Sequence, residues 1–83
     1  MTFEIRSFND RFIIVGSAGA LQRDGGFGLG EPFTLRDRSH AEAKAAWMAQ
    51  PTILMSKGKR RALRARIAAQ FNIPADIASG VIS

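Results

Sequence analysis

Six cations crowd into one stretch of this chain: Lys57, Lys59, Arg60, Arg61, Arg64 and Arg66 fall between Ser56 and Arg66 with no acid among them. Ammonium and guanidinium groups at that density suit one task above others, the capture of phosphates or carboxylates by charge and hydrogen bonding. A helix that is merely solvated usually alternates sign and gains from i,i+4 pairs. Like charges at that spacing repel, so the pattern costs stability that an anionic partner would offset. The charge is also local. Residues 1–39 balance five arginines against five acids, and residues 40–83 carry the whole net charge of +5.

The other chemically suggestive residues do not converge. His40 is the only histidine and the chain has no cysteine, so neither a metal cluster nor a nucleophilic triad can be assembled around it. The seven acids are scattered, with no pair spaced for acid–base work. No catalytic residue, metal or cofactor is expected. Gly25, Gly26, Gly28 and Gly30 make a loop that fits neither phosphate-cradling pattern: no Gly-Lys-Ser/Thr follows, and Glu31 stands where the last glycine of G-x-G-x-x-G would be. That loop presents Phe27 and Leu29, which either form an apolar contact finger or fold back over the sheet.

These residues must be held by a small domain. A chain of 83 residues forms one domain with a thin core, and its apolar and charged fractions are ordinary for a globular protein. The absence of cysteine fits a reducing compartment, and no stretch reaches the ~20 apolar residues needed to cross a bilayer. A cytoplasmic protein is the expectation.

Thr2 to Ser7 alternates, with Phe3 and Ile5 on one side, and Phe12 to Val15 is a β-branched and aromatic run. Asn9 and Asp10 between them tolerate left-handed backbone, so a hairpin over 2–8 and 11–16 follows. Ala18 to Gln22 and Pro32 to Leu35 are candidates for further strands, while residues 23–30 read as loop. Ser39 and Glu42 are in capping-box order, so a helix is expected over 40–50, stopped by Pro51 and anchored on the sheet by Trp47. Thr52 to Met55 fits a strand end or a first helical turn equally.

From Lys57 the helical pattern is plain: Leu63, Ile67 and Phe71 form a core stripe, with Lys57, Arg61 and Arg64 on an adjoining one and a small-residue face at Ala62, Ala65 and Ala69. Asn72 and Ile73 have the form of a left-handed cap with its apolar contact, and Pro74 opens a short last helix. The expected architecture is α+β, one domain over 1–83. A small antiparallel β-meander over 2–35 is packed on one face by two or three helices, the helix at 40–50 and the basic helix at 57–71, with a short helix at 74–79. The apolar tail Val81 and Ile82 and the alanine face are the surfaces on which a homodimer would form.

Ile67, Ala68, Phe71, Asn72, Ile73, Ala78 and Ile82 resemble the I-A-x-x-F-G-V pattern and downstream apolar positions of helix-turn-helix proteins, with Asn72 in place of the turn glycine. The resemblance covers residues 57–83 only. It implies DNA contact in which the second helix enters the major groove. Residues 74–79 offer only Asp76 and Ser79 as polar side chains, and the cations sit on the preceding helix, so any contact would be to the phosphate backbone.

The sequence thus points to a small non-enzymatic binding protein that docks on nucleic acid or an acidic nucleoprotein surface through Lys57, Lys59, Arg60, Arg61, Arg64 and Arg66. The alternative is an inhibitor or adaptor: in size and layout the chain is similar to many small phage-borne proteins, including some anti-CRISPR proteins. Under that reading the Phe27 and Leu29 loop and the basic helix would block a contact on a host nucleoprotein.

Overall fold

A computed structural model describes residues 2–82. The chain begins with four antiparallel strands in sequential order, β1 (Glu4–Phe8), β2 (Arg11–Gly16), β3 (Gly19–Leu21) and β4 (Phe27–Gly28). Three helices follow: α1 (Arg38–Met48), α2 (Lys57–Gln70) and α3 (Ala75–Ile82), with a 3-10 turn at Thr52–Leu54 between α1 and α2. The α+β meander read from the sequence is the observed fold.

The first hairpin turns where Asn9 and Asp10 stand, at φ 49° and 64°, so both central residues are left-handed and the turn's twist matches that of the strands. Ile5 then pairs with Ile14, and Ile14 is fully buried. At the next turn Gly19 has φ 122°, and a Cβ there would lie 2.4 Å from the Gly28 carbonyl oxygen, so β3 and β4 approach closely only because this residue is glycine. The loop expected over 23–30 is interrupted by β4, since Phe27 pairs with Leu21 and its ring stacks on Phe3 at 5.4 Å. Pro32 to Leu35 does not form a strand. It contributes two isolated bridges, Gln22 to Pro32 and Phe12 to Leu35.

The core has two clusters with α1 between them. Ile14, Leu21, Leu35 and Ala41 form the sheet-side cluster, while Ala43, Trp47, Leu63, Ile67, Ala68, Ile73, Ala78 and Ile82 form the helical one. Small residues on both sides of α1, with Ala41 and Ala43 fully buried, let the sheet and the other helices both come close. Met48 and Val81 pack against both clusters and join them. The sheet contacts α1 chiefly, and α2 and α3 are layered behind it. Trp47 accordingly anchors α1 to α2 and α3 rather than to the sheet.

Two helix boundaries differ from the sequence reading. Helix α1 starts at Arg38 with Asp37 as N-cap and no side-chain cap bond; the Ser39–Glu42 capping box does not form, because Ser39 already lies inside the first turn, and Glu42 Oε1 instead meets Arg38 Nε at 3.2 Å. Helix α3 runs through Gly80 to Ile82, since burial of Val81 and Ile82 outweighs the ~1 kcal/mol that a glycine costs within a helix. The apolar tail is therefore spent on the chain's own core.

Candidate nucleic-acid interface

The basic helix is built by local rules at both ends. Ser56 caps it, its Oγ accepting from the Lys59 backbone N–H at 3.3 Å. At the far end Asn72 takes φ 58°, and the Ile73 N–H donates to the Ala68 carbonyl at 2.8 Å, which seats Ile73 in the core as a left-handed cap requires. Leu63, Ile67 and Ala68 are buried, which fixes the helix's rotation and hence where its cations point.

The cations do not form one line. Arg61 and Arg64 border a groove between α2 and α3 of about 380 Å³, floored by Ala68, Ile73 and Ala78. Lys59 and Arg66 border a second hollow of about 270 Å³ with Met55, Ala62 and Leu63. At ~100° per residue, Arg61 and Arg66 are separated by about 140° around the helix, so the two groups flank it. Between them runs an exposed strip of Gly58, Ala62, Ala65 and Ala69, whose small side chains let α2's backbone approach a partner closely. Lys57, Lys59, Arg61 and Arg66 are exposed, while Arg60 and Arg64 are half-buried.

Electrostatically this surface is uncompensated. Among the described residues Arg6 pairs with Glu4 and Arg38 with Glu42, His40 lies 3.6 Å from Asp37, and none of the six cations of α2 has a carboxylate partner. Lys57, Lys59 and Arg60 also occupy the first turn of α2, with no acid there, where the helix dipole already presents its positive end. An anion beside that turn relieves both the mutual repulsion and the dipole.

Arg64 is the most constrained of the six. Its guanidinium lies over the Trp47 ring, 5.1 Å from the centroid, and its Nε is buried with no hydrogen-bond partner. The ring fixes the side chain against α1 and adds roughly 0.5–1 kcal/mol of cation–π attraction. Lys44 is not part of this surface; its Nζ lies 5.8 Å over Phe33, and burial lowers its pKa.

The structure separates the two loop residues singled out in the sequence. Phe27 is half-buried in the sheet-side cluster, whereas Leu29 is 99% exposed. Two apolar residues that the sequence did not single out are nearly as bare: Ile53 is 88% exposed and Leu54 84%. Their only signal was the apolar run after Pro51, which does not distinguish a buried turn from a displayed one.

Among the described residues no group of His, Cys, Asp and Glu could hold a metal ion, and no helix is long and apolar enough to cross a membrane. No family model matches the chain, and no similar protein was found among curated sequences or solved structures.

Proposed function

We propose that this protein binds nucleic acid through α2, contacting the phosphate backbone from both flanks of the helix and without reading base sequence. One observation carries the reading. Six cations on a rigid, capped helix have no carboxylate to pair with among the described residues, and no acid occurs in the chain between Glu42 and Asp76. Sequence independence follows from what α2 and α3 lack. The exposed strip between the two flanks of α2 is glycine and alanine, and α3 offers only Asp76 and Ser79, so neither that strip nor α3 carries an Arg, Lys, Asn or Gln to pair with a base edge.

Backbone contacts release counterions, so affinity must fall steeply with salt. Fluorescence anisotropy with a mixed-sequence DNA duplex is the test. With four to six phosphates neutralised, raising salt from about 50 to 200 mM lowers affinity by roughly 10²–10³-fold. A salt-independent signal, or no binding at the low-salt end, contradicts the proposal.

A second reading, an inhibitor or adaptor acting by protein contact, draws on the bare side chain of Leu29 at the far end of the sheet. Under it, the protein does not bind free duplex at low salt, and either Leu29→Glu or charge reversal on α2 abolishes capture of a defined protein partner from nuclease-treated host lysate.

A further inference from the structure

Ile53 and Leu54 are displayed by a turn that is itself held in place. The Leu54 N–H donates to the Pro51 carbonyl at 3.0 Å, the Met55 N–H to Thr52 at 3.1 Å and the Thr52 N–H to Gln50 at 2.8 Å. Met55, immediately following, packs against the helical core cluster. Two neighbouring aliphatic side chains are thus displayed to water on a hydrogen-bonded turn.

Their surroundings are cationic. Met55 lines the hollow bordered by Lys59 and Arg66, so the turn abuts that flank of α2. Leu54 is three residues from Lys57, and three residues reach at most about 11 Å.

We propose that Ile53 and Leu54 act as a wedge that enters between stacked base pairs of duplex DNA while α2 holds the backbone, unstacking one step and kinking the duplex. The proposal rests on the reading of α2 as a phosphate-binding helix. Apolar side chains inserted from the minor groove unstack a step and bend the axis, and cations on either side neutralise the phosphates around the bend. With no base-reading side chain on the exposed strip of α2 or on α3, insertion gives the protein a means of engaging the duplex interior by deforming it. An anionic lipid surface would attract the same cations, but a helix lying in a bilayer interface carries an apolar face along its length. Here the exposed strip of α2 is glycine and alanine, and only the preceding turn is aliphatic.

The test uses the full chain and a duplex of about 30 base pairs labelled at both ends for resonance energy transfer, a length stiff enough that a protein-induced kink is read directly. Saturation with the wild-type protein is expected to raise transfer by the amount corresponding to a kink of about 20–90°. Ile53→Ala/Leu54→Ala removes that rise while affinity, which comes mostly from phosphate contacts, stays within about tenfold. Both residues are exposed, so the variant keeps its fold, checked by circular dichroism.

A straight wild-type complex, or an equal bend with the variant, overturns the wedge and leaves the phosphate-binding reading intact. Failure to bind duplex at low salt removes both. A straight DNA complex together with phosphatidylserine vesicle binding that the variant loses assigns the pair to a membrane surface and overturns the wedge.

Discussion

The sheet half of the molecule and the basic helix use the same residue type in opposite ways. In the sheet half, Arg6 donates to Glu4 at 2.9 Å, which lowers the Glu4 pKa, and Arg11 Nε donates to the Thr34 hydroxyl at 2.8 Å. On α2, six cations stand on a well-packed element with no carboxylate partner among the described residues. A folded chain with five acids in its first 39 residues could have placed some beside α2, and it does not. Positive charge is thus tied into local structure at Arg6 and Arg11 and left without a carboxylate on α2, the contrast on which the proposed binding role rests.

The contrast can be attacked first through stability, where the effects are largest. Ile14 and Ile82 are both fully buried, one in each core cluster. Ile14→Ala and Ile82→Ala should each cost about 2–5 kcal/mol in urea unfolding. Because α1, Met48 and Val81 bridge the clusters, each variant should retain one cooperative transition, whereas two separable transitions would show that the regions are independent units.

Function should divide the regions where stability does not. Arg61→Glu/Arg66→Glu, at two exposed positions on opposite flanks of α2, should weaken duplex binding at low salt by about 100-fold or more, while Arg6→Glu should change it by less than about threefold, because on the proposed reading only α2 contacts phosphates. Equal losses from both variants would mean that net charge alone governs binding.

Two smaller effects sharpen the structural side. Gly19→Ala places a Cβ against the Gly28 carbonyl at positive φ and should cost about 1–3 kcal/mol. Ser56→Ala removes the cap of α2 and should cost about 1 kcal/mol, whereas Ser39→Ala, which removes no cap, should be nearly neutral by the same unfolding measurement.

Much of this architecture was legible in the residues. Asn9–Asp10, Gly19, Asn72 and Pro74 each announce a backbone requirement that local chemistry enforces, so the hairpin, the third strand and the break between α2 and α3 could be read directly. The readings that failed depended on competition between partners. The Ser39–Glu42 capping box gave way to a helix that begins earlier, at Arg38 after Asp37, and Gly80 did not end α3 because burial of Ile82 outweighs it. Trp47 was legible as an anchor but not its target, since an alanine-rich helix buried on both sides gives no sequence signal for which side takes the large residue. The cationic segment was visible as a cluster; its division into two flanks, and the display of Ile53 and Leu54 beside one of them, come from packing.

The most direct measurement is the slope of log affinity against log salt for a DNA duplex, determined for the wild-type protein and for Arg61→Glu/Arg66→Glu side by side. At about −0.9 per phosphate neutralised, wild type should give a slope of about −4 to −5, and the double variant one shallower by about 2. A wild-type slope near zero, or identical slopes for the two proteins, would contradict the assignment of α2 as a phosphate-binding helix.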